Sequence, residues 1–354
     1  MMIASSFRRL KRLACIGMAA SLSAIAASAG GYTLVWDDFK DGFSVNAPGA
    51  KWFYFAAGPF VGNDGLETTS NQGLRVVSPG VNPITGLPAF TSTLGQEGSP
   101  DNPFSLPGGI DHVKWLVYAN NTATSGYPGF DCIPGQELQF DAWVSGRSYG
   151  NEFHPFGIAV ADPDDDIRLA NPAVPTIDFE NFLVADFFLT NKRIYALYER
   201  LPFNRTATNN YAAFTYAIPV AERLPHQQHK LTIGYDKSRN LIRWYVGGKE
   251  VFRVTRPGYR LASNEHLVID HGGVEEDVVS RQRNIGFGTF TLLDAASPTQ
   301  QALVRLSTAP DFYFNTLTGQ PTPQTFLDEL SLPGSRLWGQ GAELNVRKVV
   351  VSSR

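Results

Sequence analysis

The chain has 354 residues, with 30 Lys and Arg against 33 Asp and Glu and a formal net charge of −3. A surface of that balance makes nucleic acid a poor partner, since phosphate backbones are bound by excess positive charge. Its 24 Phe and 13 Tyr, set among 33 Gly and 23 Pro, suit an all-β sandwich with a large core.

Arg8, Arg9, Lys11 and Arg12 precede an apolar run from Leu13 to Ala26, and Ala27-Ser28-Ala29 supplies a small-residue cleavage site. This is the pattern of a secretory signal peptide over residues 1–29. The run is shorter than the roughly 20 apolar residues of a membrane span and is broken by Ser. Arg8-Arg9 is a weak twin-arginine signal, and Cys15 has no aliphatic residue three places before it, which argues against a lipid anchor. Cleavage would leave 26 basic against 33 acidic residues, a net charge of −7, and Cys132 as the one remaining thiol, so no internal disulfide can form. Residues 30–354 contain no further run of spanning length, no long linker and no repeat, and are expected to form one secreted, monomeric domain.

In chain order, Tyr32 to Phe43 predicts a strand entering a turn, and Lys51 to Phe55 a second strand. Gly58 to Pro107 is loop-dominated, with a short strand at Leu74 to Val77. Alternation predicts strands over His112–Asn120 and Glu137–Gly146, with another over Phe156–Ala161. The acidic turn Asp162-Pro163-Asp164-Asp165-Asp166 is of an oxygen-rich kind that can hold calcium, although it lacks the Gly and terminal Glu of an EF-hand loop. Thr176–Phe188 and Arg193–Arg200 follow as strands, then the most informative stretch, His229 to Val254. There Leu231, Ile233 and Tyr235 alternate with polar or small residues, as do Ile242, Trp244 and Val246, and Gly247-Gly248 supplies the positive φ angles of a two-residue hairpin turn. Strands over His266–Gly273 and Asn284–Asp294, a helical turn near Thr325–Leu330 and a last strand over Leu344–Val351 complete the reading.

The words HKLTIGYD and IRWYVGGKEV of that hairpin resemble the back-sheet strands of concanavalin A-like lectins and glucanases, a superfamily that includes laminarinase-type hydrolases. The opening LVWDDFKDGF (Leu34 to Phe43) and closing LNVRKVVV (Leu344 to Val351) agree with the resemblance. It implies an antiparallel β-sandwich (jelly roll) and a polysaccharide or glycan partner. Fold alone does not assign chemistry.

Laminarinase-type relatives carry their catalytic acids on one strand as Glu-x-Asp-x-x-Glu, and this sequence lacks that motif. The nearest match at the corresponding chain position is Asp178-x-Glu180, with Asp186 six residues on and Glu199 on the neighbouring strand. On a regular strand Asp178, Glu180 and Asp186 would face the same way. Residues i and i+2 lie about 6.6 Å apart, and their carboxyl groups can approach the roughly 5 Å of a retaining glycosidase. Repulsion would raise one pKa and leave an acid beside an ionised nucleophile. The candidate catalytic residues are therefore Asp178, Glu180 and Glu199, with Asp186, Tyr198 and Trp338 as substrate contacts. The competing reading makes Asp178 and Glu180 the solvent face of an amphipathic strand, and the protein a non-catalytic, lectin-like surface protein.

Glu275-Glu276-Asp277 follows the hairpin, the wrong chain order for a catalytic motif, and fits a charged loop. His226, His229, His266 and His271 have no zinc-ligand spacing, and no nucleotide or nucleophile-elbow motif occurs. Apart from the calcium turn, no cofactor is implied. Trp143 and Trp244, inside alternating strands, are expected in the core. Exported protein should begin at or near Gly30, and intact-mass measurement checks this; a mass that retains Met1 to Ala29 would make the leader an anchor.

Overall fold

The computed structural model describes residues 30–57, 60–78, 112–154, 156–206, 208–293, 295, 303, 312–314, 321–323 and 339–354. The leader, the 325–330 turn and Trp338 lie outside these residues. The strands begin with β1 (Tyr32–Asp37), β2 (Trp52–Tyr54), β3 (Ala56–Ala57), β4 (Phe60–Val61), β5 (Leu66–Ser70), β6 (Gly73–Val77) and β7 (His112–Ala119). They continue with β8 (Phe130–Asp131), β9 (Glu137–Tyr149), β10 (Asn171–Asp178), β11 (Leu183–Leu189), β12 (Arg193–Arg200), β13 (Phe214–Glu222) and β14 (His229–Asp236). The last are β15 (Leu241–Val246), β16 (Lys249–Val254), β17 (Leu267–Asp270), β18 (Gln282–Thr291), β19 (Phe312–Phe314), β20 (Pro321–Pro323) and β21 (Gly341–Ser353). Among the described residues the only helical pieces are 3₁₀ turns, at Asn151–Phe153, Gly157–Ala159 and Pro202–Asn204.

Two antiparallel sheets face each other, as the sequence predicts. The first has the order β16-β15-β14-β9-β21-β6-β5, with β1 also on β21; the second has the order β17-β13-β12-β11-β10-β18-β7-β2, with β8 on β18. The hairpin forms as expected, with Gly247 at φ 61° and Gly248 at φ 85°. Both glycines occupy the left-handed region that an L side chain resists.

Three local expectations change. The segment 156–161 is not a strand but holds the 3₁₀ turn at Gly157–Ala159. The expected strand 176–188 is two strands, β10 and β11, folded back on each other with Asp178 opposite Leu183. The strand β13 has no counterpart in the sequence reading because Pro219 interrupts its pattern. The sheet accommodates that proline at a register shift beside Tyr195, where a missing N–H is tolerated.

The core lies between the sheets. Its members include Trp115, Phe187, Tyr198 and Tyr216 from the second sheet and Phe140, Ile233 and Trp244 from the first. Trp244 is fully buried, and its Nε1–H donates a 2.9 Å hydrogen bond to the carbonyl of Asp186 in the opposite sheet. Trp244→Phe, which removes the donor and part of the ring, should cost about 1–3 kcal/mol, and Trp244→Ala about 3–5 kcal/mol. Denaturant unfolding measures both, and a Trp244→Phe variant as stable as the unsubstituted protein would deny the inter-sheet hydrogen bond any energetic role.

Candidate functional site

The hairpin between β10 and β11 takes the expected catalytic row apart. Asp178 is the last residue of β10 and faces the inside of the sandwich, since Val174 on the same phase is a core residue. One of its carboxylate oxygens accepts the backbone N–H groups of Glu180 (2.9 Å) and Asn181 (3.3 Å), and the N–H of Phe182 returns to the Asp178 carbonyl. This is an aspartate-capped turn, and Gln282 adds a further donor to the same carboxylate. Glu180 lies within the turn, where Arg281 grips it with two nitrogens at 2.8 and 2.7 Å. Tyr198 lies in the interior, donating from its hydroxyl to the Tyr259 carbonyl and accepting from the N–H of Gly258. It is a core residue, not a residue on an open face, and Asp178, Glu180 and Asp186 do not share a row.

Asp186 and Glu199 do come together, on the outward face of the second sheet. Ala185 and Phe187 point inward from β11, as do Ala196 and Tyr198 from β12, so the acids between them point outward. Strand pairing sets Asp186 against Leu197 and Val184 against Glu199, which makes the two acids diagonal neighbours. Both are buried, at 2% and 1% exposure. One oxygen of Asp186 accepts the Thr176 N–H at 3.2 Å, and Oε2 of Glu199 accepts the Thr215 hydroxyl at 2.7 Å.

Burial pushes Glu199 up to about 7, opposed by hydrogen bonds from Thr215 and Asp186. Two carboxyl groups side by side in an apolar setting retain a proton, because ionising both is costlier than leaving one neutral. Acids within hydrogen-bonding reach are closer than the about 5 Å of retaining or the 6.5–9.5 Å of inverting glycosidases. The face they share is apolar: Ile177, Val184, Phe188, Leu197 and Ile269 belong to one buried cluster there.

An open concavity lies on the other side of the molecule, on the outward face of the first sheet. Leu138, Phe140 and Ala142 point into the core, so Glu137, Gln139, Asp141 and Trp143 of β9 point out. A groove of about 400 Å³ lies there, lined by Glu137, Gln139 and Asp141 together with Lys230, Thr232, Tyr245, Gly248 and Arg354. Asp141 accepts the Thr232 hydroxyl and pairs with the Lys230 ammonium at 2.9 Å. Glu137 accepts the Tyr245 hydroxyl at 3.1 Å and pairs with Arg243. Arg354 donates to the side-chain carbonyl of Gln139 at 3.1 Å. Trp143, expected in the core, stands partly buried on this outer face, whereas Trp244 is a core residue as expected.

Sequence reasoning passed over these groove residues. The available signal was the polar half of the alternation in Glu137-Leu138-Gln139-Phe140-Asp141-Ala142-Trp143.

The remaining candidates have structural partners. In the acidic turn Asp162 pairs with Lys192, Asp164 accepts from Asn191, Asp165 pairs with Arg193 and Asp166 with Arg168. Among the described residues no group of three or more His, Cys, Asp and Glu is placed to hold a metal. Glu276 pairs with Arg200, and Glu275 with Arg260. Cys132 is buried, and burial raises its thiol far above the ordinary range.

The raised Glu199 makes stability depend on pH. Between about pH 4.5 and 7 the folded state keeps a proton that the unfolded chain has lost, so stability falls as pH rises through this window and levels off above it. The size is on the order of 3 kcal/mol at most. Glu199→Gln keeps the shape and the Thr215 contact, and should flatten the slope and raise the melting temperature at pH 8. Thermal unfolding from pH 4.5 to 8 measures this, and an unchanged slope would mean that Glu199 is ionised throughout.

Against proteins of known sequence, the chain is 31% identical over 291 residues to "Uncharacterized protein L829" of Acanthamoeba polyphaga mimivirus, across 67% of this chain and 61% of the viral one. It thus spans about three fifths of the length of that relative. Among solved structures it is similar to porphyranase B from Zobellia galactanivorans, at 9% identity, 94% and 97% coverage of the two chains and a TM-score of 0.37. It is also similar to the kappa-carrageenase of Pseudoalteromonas carrageenovora, at 11% identity, 94% and 100% coverage and a TM-score of 0.35. The assignment comes from the profile that matches residues 36–354: the chain belongs to the family of unknown function DUF6081.

Proposed function

We propose that this protein is an exported, non-catalytic carbohydrate-binding β-sandwich, with its binding surface in the groove on the outer face of the first sheet. The observation that carries the reading is the groove lining. Carboxylate, amide, ammonium, hydroxyl and guanidinium groups converge beside the phenol ring of Tyr245 in one shallow concavity. Adjacent donors and acceptors match the vicinal hydroxyls of a sugar, and an aromatic flank suits its C–H face. The volume falls within the roughly 300–1,000 Å³ of small-ligand sites.

The same lining argues against cleavage there. Glu137 and Asp141 are four residues apart on one strand, about 13 Å along the backbone, beyond the spacing of either glycosidase class. Each is also engaged in an ion pair, Asp141 with Lys230 and Glu137 with Arg243.

Purified protein screened against a panel of polysaccharides should bind without releasing new reducing ends. Tyr245→Ala and Gln139→Ala should each weaken binding tenfold or more while leaving thermal unfolding unchanged. Binding untouched by both substitutions would remove the groove from the account. Release of reducing ends that Glu199→Gln lowers by about 100-fold or more, the scale of a positioned acid or base, would replace this reading with a hydrolase acting at the Asp186–Glu199 face.

A further inference from the structure

We infer that the carbohydrate taken by this face is an acidic polysaccharide, one carrying sulfate ester or carboxylate groups, and that Lys348 and its neighbours around Trp143 recognise those groups. The inference rests on the binding reading above and specifies its ligand.

Trp143 has a lysine on each side. Lys230 is its cross-strand partner on β14 and Lys348 its partner on β21. The ammonium of Lys348 lies 4.1 Å from the centre of the indole, and that of Lys230 5.2 Å. The negative face of the ring attracts both cations, which holds two long side chains in place before any ligand arrives. Preordering of this kind reduces the entropy lost on binding.

The two ammonium groups differ in what neutralises them. Lys230 is matched by Asp141, whereas Lys348 has no carboxylate partner among the described residues, and its charge is balanced only by the ring. Farther along this face Arg75 of β6 and Arg147 of β9 share the single carboxylate of Glu343 on β21, at 3.0 and 3.4 Å. Four cations on this strip therefore meet two acids, a surplus of two positive charges. The strip runs against the net charge of the chain, which is −3, so it is not a by-product of a basic composition. Trp143 and Arg147 are separated by about 13 Å along β9, a span that suits charges repeated along a sugar chain better than one small anion.

The test compares dextran sulfate, polygalacturonate and unmodified dextran by titration calorimetry at 50 and 300 mM NaCl. At the lower salt at least one polyanion should bind tenfold or more tighter than dextran, and the advantage should shrink at the higher salt as screening sets in. The two polyanions separate sulfate from carboxylate recognition. Lys348→Gln should lower polyanion affinity fivefold or more with no change in melting temperature, whereas Lys192→Gln, at a surface lysine in the turn between β11 and β12, should not. Equal effects of both substitutions would reduce the attraction to general charge and overturn the site. Neutral glycans that bind as tightly as the polyanions would overturn this inference and leave the binding function standing. Failure of every polysaccharide, charged or neutral, would remove the binding reading itself.

Discussion

The contact on which the rest of this architecture depends is the one Trp244 makes across the sandwich. Its indole fills the space between the sheets, and its N–H reaches the carbonyl of Asp186 on β11. A tryptophan buried in this way contributes through area, at roughly 25 cal/mol per Å² of apolar surface, and also through orientation, because its one donor must find an acceptor. That acceptor fixes the place of β11 beneath the hairpin. With Ala185 and Phe187 turned toward the hairpin, the Asp186 side chain is committed to the opposite face, where Glu199 meets it. The packing that closes the sandwich thus also creates the buried acid pair.

The parts of the fold that were legible are those in which one period runs uninterrupted. The hairpin from β14 to β16 alternates cleanly and carries a Gly-Gly turn, and β21 is a long β-branched run that pairs with β9, β6 and β1. The turn after Asp178 was not legible as such, because Ile177, Phe179 and Leu183 offer apolar residues at strand-like spacing. What breaks the strand is polar and local: Asp178 takes the N–H groups two and three residues ahead, and Phe182 adopts a positive φ of 53°. An acid followed three places later by Asn is also a turn signature, and in this chain that meaning prevails over catalytic spacing. Trp143 teaches the converse. Its phase in β9 matches Glu137, Gln139 and Asp141, so the alternation placed it outward, and only the general preference of tryptophan for cores pointed the other way.

The two acidic sites are distinguished by water. At the Asp186–Glu199 pair, burial makes the proton shared and the pKa high, features associated with catalytic acids, but the pair lies on a face occupied by a buried apolar cluster that includes its cross-strand neighbours Val184 and Leu197. Structural carboxyl pairs perturb pKa values by the same physics, and here the cluster accounts for the shift without any substrate. At the groove the carboxylates are neutralised by adjacent cations, and the geometry of donors and acceptors is open. Binding requires access to matched polar groups, whereas acid–base chemistry requires an unmatched group at the right distance, and the two faces divide these properties between them.

This division also explains why the groove can hold many ion pairs and still be a binding surface. An exposed ion pair contributes about 0–1 kcal/mol, since solvent screens it and ordering two long side chains offsets much of the attraction. Exchanging such a contact for one to a ligand hydroxyl or anion therefore sacrifices little stability. The exposed Arg354–Gln139 hydrogen bond is similarly easy to exchange, and the part-exposed ammonium of Lys230 can turn to a ligand while the buried Asp141 keeps the Thr232 hydroxyl, so these contacts preorganise the face without locking it. Breaking the contacts of a buried acid leaves a desolvated group uncompensated, at a cost of about 3–5 kcal/mol for a buried charge pair. Asp186 and Glu199 are under that constraint, so a ligand can remodel the outer face of the first sheet at far lower cost than it could open the acid pair of the second.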